Sequence, residues 1–193
     1  MPISATYNVK GGTLAQYDQI IKGLAELAAA PGGLAHIATA TPDGFLVCDI
    51  WESQEAFDSF APNLGPHAEE AGIGDRAAPF IGHVENLIIT DKINQLPAVA
   101  VIYSFPGMSL EQYHDILSRV KFDSSSRRAH IASETPDGMF VIAIWESEAA
   151  FHTFEPALRA AFAAAGVEYA TPVIGKVHRI AVSPDAALTT AHA

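Results

Sequence analysis

The chain has 193 residues, 49% of them hydrophobic, with 22 Asp and Glu against 11 Lys and Arg. That length can bury one good core or two small ones, and a net charge of −11 argues against a nucleic-acid partner, which needs a basic face to neutralise phosphates. No apolar run is long enough for a membrane span and the N-terminus has no charged region leading into an apolar one, so the expectation is a cytoplasmic protein with no membrane partner.

Residues Ile3 to Val9 alternate as a strand does, and Gly11-Gly12 ends them. Thr13 and Gln16 have the form of a capping box. It opens a helix whose apolar face, Leu14, Tyr17, Ile20, Ile21, Leu24, Leu27 and Ala28, recurs every 3.6 residues until Pro31-Gly32-Gly33. Two strands follow, Leu34 to Ala40 and Phe45 to Trp51, joined by Thr41-Pro42-Asp43-Gly44, where Pro presets a turn and Gly takes its left-handed position. Ser53 caps a second helix with Glu55 in its first turn, and Ala56, Phe57 and Phe60 form its buried stripe. Pro62 is placed to kink or restart that helix and Gly72 to end it, before a last strand from Phe80 to Ile89.

The same grammar then recurs. Ala35-His36-Ile37-Ala38, Thr41-Pro42-Asp43-Gly44, Ile50-Trp51-Glu52-Ser53 and Ala56-Phe57 return 94 residues later as Ala129-His130-Ile131-Ala132, Thr135-Pro136-Asp137-Gly138, Ile144-Trp145-Glu146-Ser147 and Ala150-Phe151. Around them lie a strand from Ala98 to Phe105, a Ser109–Gln112 capping box, a helix face of Leu110, Tyr113, Ile116, Leu117 and Val120, a second helix holding Pro156 and ending at Gly166, and a strand from Val173 to Val182. The chain is a tandem duplication, with repeats at 1–92 and 97–183 and a frayed tail at 184–193. Each repeat reads strand, helix, strand, strand, helix, strand, the ferredoxin-like plan, an α+β fold. Such a sheet has helices on one face, so its other face must be buried, and the second repeat is the obvious cover. Two ferredoxin-like repeats packed sheet to sheet form an intramolecular α/β barrel, a monomeric pseudo-dimer that can pair further as a homodimer. The repeats differ in charge, with twelve acidic and four basic residues up to Leu96 and ten and seven after it.

The Asp-Gly hairpin running into Ile-Trp-Glu-Ser, then Ala-Phe at the helix start, resembles the dimeric α/β-barrel superfamily and within it the antibiotic-biosynthesis monooxygenase (ABM) type domain, in both halves. The resemblance implies a barrel acting on a small aromatic or polyketide-like molecule, as a monooxygenase needing no metal or other cofactor. Members of the superfamily also include heme-degrading enzymes, isomerases and proteins with no assigned reaction. In aromatic polyketide oxygenases of this type an Asn four residues before the signature Trp and a Tyr six after it matter; here those positions hold Val47 and Phe57, then Val141 and Phe151. Only Trp51 and Trp145 carry over. The heme-degrading branch implies an aromatic nine residues after the Trp, met by Phe60 and Phe154, and a heme-ligating His nineteen after, where Glu70 and Ala164 stand, with His67 one turn short.

His36 and His130 occupy one position in both repeats and are the candidate general bases. Strand alternation puts Ile37 and Ile131 on the opposite side, expected to be the side under the helices, which aims the imidazoles into the barrel. Hairpin register decides the neighbour of His36: Asp49 for a turn centred on Pro42-Asp43, Trp51 for a two-residue Asp43-Gly44 turn, Ile50 for a three-residue loop with a bulge. If it is Asp49, the pair has the makings of an oriented base, present once per chain because the second repeat has Ala143 there. Trp51 and Trp145 are end plugs or stacking walls for a planar ligand. Tyr7 and Tyr103, equivalent on the first strand of each repeat, offer phenolic hydrogen bonds. On the last strands His83, Glu85 and Asn86 are answered by Lys176, His178 and Arg179, so any two sites are unlike, and His83, His178 and Arg179 join the candidate substrate-binding set. Arg119, Lys121, Arg127 and Arg128 crowd a segment that reads as a loop, either solvated or attracting an anionic substrate. Cys48, answered by Ile142, reads as a small core residue, and no Cys/His spacing suits a metal. A non-catalytic small-molecule binder or stress-associated barrel is the alternative to an enzyme, and a heme-binding barrel a weaker one.

Overall fold

The computed structural model describes residues 1–24, 30–74, 78–120, 125–184 and 186. The first repeat contains β1 (Ile3–Lys10), α1 (Leu14–Gly23), β2 (Gly33–Thr41), β3 (Gly44–Trp51), α2 (Gln54–Phe60), α3 (Leu64–Glu70) and β4 (Phe80–Ile89). The second contains β5 (Val99–Pro106), α4 (Leu110–Arg119), β6 (Arg127–Thr135), β7 (Gly138–Trp145), α5 (Glu148–Ala164) and β8 (Val173–Val182). Hydrogen bonds link the strands in the order β1-β3-β2-β8-β5-β7-β6-β4, a closed barrel. No described helix is long and apolar enough to cross a membrane. Leu27, Ala28, Lys121 and nearly all of the expected tail lie outside the described residues.

Local chemistry sets most boundaries. Capping boxes open α1 at Thr13 and α4 at Ser109, and Ser53 and Ser147 accept from Ala56 N and Ala150 N to open α2 and α5. The two prolines, at equivalent positions, act differently. Pro62 sits in a 3-10 turn at Ala61–Asn63 and the helix restarts as α3, whereas Pro156 is carried inside one continuous α5. In both hairpins the glycine is required by its neighbours: Gly44 and Gly138 have φ of +154° and +137°, and a Cβ on either would lie 2.1 Å from Val9 O or 2.3 Å from Phe105 O.

Two compact units emerge, and their border runs through β4 and β8. One unit holds Met1–Val84 with β8 from Lys176 onward, the other Glu85–Gly175. In the first, β1 pairs with β3 and with the start of β4, while β2 pairs with β3 and with Lys176–Val182 of β8. Its helix-side core joins Ile3, Tyr7, Tyr17, Ile20, Val47, Trp51 and Phe57. In the second, β7 lies between β5 and β6, and the core joins Val101, Phe105, Tyr113, Ile116, Trp145, Phe151 and Phe162. The last strand of each repeat thus supplies side chains to the unit built mainly from the other repeat.

Candidate active site

The hairpin β2–β3 pairs Thr41 with Gly44 and His36 with Asp49, the register of a turn centred on Pro42-Asp43. The equivalent β6–β7 pairing sets His130 opposite Ala143. The imidazoles do not face away from the helices as alternation suggested. His36 Nε2 lies 2.7 Å from Tyr17 Oη on α1, and His130 Nε2 lies 2.9 Å from Tyr113 Oη on α4. Both faces of β2 and β6 are buried, with Ile37 and Ile131 each 1% exposed, so apolar alternation does not mark the helix side.

In the first unit the polar cluster is closed. His36 Nδ1 lies 2.6 Å from Asp49 Oδ1, and both residues are buried. A carboxylate only accepts, so Nδ1 carries the imidazole proton and Nε2 accepts the Tyr17 hydroxyl. The ring of Tyr17 is edged by His178, which also reaches Asp18 Oδ1 at 2.8 Å, and Arg179 opposes the rise that burial imposes on the Tyr17 hydroxyl pKa. Over this cluster α1 is fastened to α3 by Gln16 Nε2 donating to Ala71 O at 2.8 Å. The ring of His67 lies so close to Gly23 that a Cβ there would meet it at 2.3 Å. That contact occupies the histidine nearest the heme-ligand position.

The second unit has the same His–Tyr pair under an open space. A cavity of about 680 Å³ lies between the sheet and helices α4 and α5, a volume typical of small-molecule sites. The strands contribute Asn86, Tyr103, Phe105, Arg127, His130, Val141, Ala143 and Trp145; the helices contribute Tyr113, Ile116, Phe154, Leu158 and Phe162. Burial, reinforced by the Arg127 charge, pushes the His130 pKa down to about 3, so the ring is neutral at physiological pH. Burial also raises the Tyr113 pKa, an effect opposed by the Asn86 side chain, which therefore donates to the phenolic oxygen and leaves the O–H to His130 Nε2. His130 then carries its proton on Nδ1, the nitrogen that in His36 meets Asp49. Nδ1 of His130 and Nε1 of Trp145 are buried with no hydrogen-bond partner among the described residues.

A second polar chain leaves the cavity. Tyr169 Oη donates to Glu155 Oε1 at 3.0 Å, so the 2.9 Å contact between Tyr103 and Tyr169 has Tyr103 as donor. Glu155 also meets His152 Nδ1 at 3.0 Å and Arg159 Nη2 at 2.7 Å, and His152 is half exposed. The chain Tyr103–Tyr169–Glu155–His152 is a hydrogen-bonded line from the cavity wall to solvent.

The expected site residues are thus separated. His130, Trp145 and Tyr103 meet at the cavity, while His36, Asp49, Tyr7, Trp51, His178 and Arg179 belong to the first unit and His83 is exposed on β4. Trp51 packs on Phe57 and Phe60 with centroids at 6.0 and 5.1 Å, and Trp145 repeats both distances on Phe151 and Phe154. The packing of the two indoles is alike in both units, and Trp145 also walls the cavity. Arg127 and Arg128 are not loop residues: both lie on β6 and are buried, Arg128 donating to Gln95 O and to Pro97 O. The sequence placed Tyr113 in the core and Asn86 only as the counterpart of Arg179, and Tyr169 went unnoticed. The equivalent placing of Tyr17 and Tyr113 was the available signal.

Comparison with known proteins agrees with this architecture. The family model for antibiotic biosynthesis monooxygenase matches residues 3–63, and no curated protein matches the chain in sequence. An anthrone oxidase-like protein of known structure is 15% identical with TM-score 0.57, covering 98% of this chain and 96% of its own. A candidate monooxygenase from Lactobacillus acidophilus is 11% identical with TM-score 0.65 and coverages of 94% and 96%. Another from Fusobacterium nucleatum is 10% identical with TM-score 0.66 and coverages of 94% and 94%.

Proposed function

We propose that this chain, whose residues 3–63 match the antibiotic biosynthesis monooxygenase family model and whose fold is that of the ABM-like barrels, takes a small, planar, largely apolar molecule into the cavity of the second unit and oxygenates it with O₂. The observation that carries this is the asymmetry of the two units: one His–Tyr pair is sealed by Asp49 and by α1 on α3, the other borders about 680 Å³ of apolar space. The structural neighbours named as anthrone oxidase-like and as candidate monooxygenases make the same reaction class the natural one to test.

The chemistry needs little from the protein beyond making and holding an anion. An aromatic ketone with an acidic CH₂ loses a proton, the carbanion passes electrons to O₂, and the resulting hydroperoxide loses water, so that R₂CH₂ and O₂ give R₂C=O and H₂O. His130, neutral and with its proton on Nδ1, is a hydrogen-bond donor in this scheme and not the base. The Tyr103–Tyr169–Glu155 line carries the substrate proton outward, each hydroxyl passing its own proton on and receiving the next. His36 and Asp49 hold the equivalent helix in place in the first unit. The repeats at 1–92 and 97–183 are proposed as the duplicated units of descent, with working chemistry confined to the second cavity.

The test is oxygen uptake with anthrone as the probe, comparing wild type with Ala143→Leu, which fills the cavity beside His130. Uptake with matching anthraquinone formation, lost in the variant, supports the assignment. Anthrone binding with no uptake above buffer makes the protein a binder, and uptake undiminished in the variant removes the cavity from the chemistry.

A further inference from the structure

We propose that the C-terminal half of α4 is the gate of the second unit's cavity, swinging about the fixed entry of the helix, while its counterpart α1 is fastened shut. That a ligand passes this gate rests on the cavity being the binding site; the difference in fastening does not. The two helices start alike. Gly11 N donates to Asp43 O at 2.6 Å and Gly107 N to Asp137 O at 2.7 Å, and a capping box follows each, so both enter from an anchored turn. Both are also tied to the sheet by a tyrosine in their first half, Tyr17 on His36 and Tyr113 on His130.

Toward the neighbouring helix they differ. The end of α3 gives α1 three contacts: Gln16 Nε2 donates to Ala71 O at 2.8 Å, Gln19 Nε2 donates to Glu70 O at 3.4 Å, and the His67 ring closes on Gly23. Ala71 N bonds His67 O as Ala165 N bonds Ala161 O, which sets the equivalence of the two helix ends. The counterparts of Gln16, Gln19 and Gly23 are Gln112, Asp115 and Arg119, and those of Ala71, Glu70 and His67 are Ala165, Ala164 and Ala161. Gln112 keeps its capping contacts with Ser109, and Arg119 pairs with Asp115 along α4 itself at 2.9 Å. None of the three fastenings is repeated. Ile116, Leu117 and Ser118 of α4 border the cavity, and the apolar pair holds this turn by packing alone. A helix anchored at one end and held by few cross-ties at the other opens at low cost, and its internal hydrogen bonds let it move as a body.

Thiol labelling tests the gate with α1 as the control inside the same fold. Ile116 and Ile20 are equivalent and buried, at 3% and 7% exposed, so static exposure gives Ile116→Cys no advantage over Ile20→Cys. Cys48 is fully buried with its thiol pKa pushed up by burial and is a silent background. Ile116→Cys should nevertheless label at least about tenfold faster, and Gln16→Glu, which keeps the capping box and removes the donor to Ala71 O, should speed labelling of Ile20→Cys about fivefold. Anthrone under nitrogen should slow labelling at position 116 about tenfold and leave position 20 within about twofold. Labelling of Ile116→Cys no faster than Ile20→Cys overturns the gate and leaves the cavity as a binding site. Faster labelling that anthrone does not slow upholds the gate and removes the cavity as the site for anthrone. Methyl relaxation dispersion on wild type makes the same comparison if either variant fails to fold: exchange at Ile116 and Leu117 but not at Ile20 and Ile21 supports the gate, and equal behaviour of the two helices overturns it.

Discussion

Asp49 on β3 and Ala143 on β7 hold the same register position, one opposite His36 and the other opposite His130. One methyl in place of a carboxylate changes what the adjacent imidazole can be. His36 is locked between an acceptor on Nδ1 and a hydroxyl on Nε2, while His130 keeps the hydroxyl and loses the acceptor. The duplicated sequence therefore holds one satisfied polar cluster and one whose buried donor lies beside a cavity, an arrangement that costs stability unless a ligand or water supplies an acceptor.

Removing the satisfied partner should be expensive. Asp49→Ala leaves the Nδ1–H of His36 buried and unpaired, with an expected loss of about 3–5 kcal/mol in urea unfolding at neutral pH. Asp49→Asn retains an acceptor and should lose less than half as much. Equal losses in the two variants would mean that the carboxylate charge, not volume or a neutral acceptor, is what Asp49 provides.

Stability should fall on mild acidification because of His130. Its folded pKa of about 3 lies below the ordinary value of 6.5, so the unfolded chain binds the proton first and stability declines as pH drops from 6.5 toward 3. Between pH 7.5 and pH 5 this amounts to about 2 kcal/mol. Urea titrations at the two pH values on wild type and His130→Gln measure it: the variant should lose about 2 kcal/mol less than wild type on acidification. An identical loss in both would show that His130 is not held neutral.

Much of the scaffold was legible in the residues because local rules fixed it. Capping boxes at Thr13 and Ser109, serine caps at Ser53 and Ser147, and prolines before Phe80 and Val173 set element ends that the structure keeps within a residue or so. The site was harder to read. The side on which His36 and His130 lie depends on which face the helices cover, and a sheet buried on both faces gives no apolar alternation to say so. The exchange of strand ends is a tertiary fact: Asn86 reaches Tyr113 and His178 reaches Tyr17 only because β4 and β8 each supply side chains to both units. Arg127 was legible as a charge and not as a strand residue, since Arg-Arg beside polar residues reads as a loop until the β6–β7 ladder is known.

The tyrosines give a whole-molecule readout at high pH. All five are raised by burial, Tyr169 to about 12 and the other four further. A raised tyrosine means the unfolded chain releases protons first, so stability is full below pH 10 and falls as pH rises above it. Absorbance at 295 nm should show no tyrosinate until far-UV circular dichroism reports unfolding. A tyrosine titrating near pH 10 with the fold intact would show one of these hydroxyls open to solvent. In Tyr169→Phe the hydroxyl of Tyr103 loses its acceptor, and the alkaline transition should shift with it.

Ala143→Asp tests whether register alone separates the two units. The substitution places a carboxylate opposite His130 as Asp49 lies opposite His36, where it accepts from Nδ1–H and supports the protonated ring. The His130 pKa should rise by more than one unit from about 3, followed by the imidazole resonances in NMR, and the acid sensitivity described above should shrink accordingly. An unchanged His130 pKa would mean that the ring of the second repeat is oriented differently from that of the first.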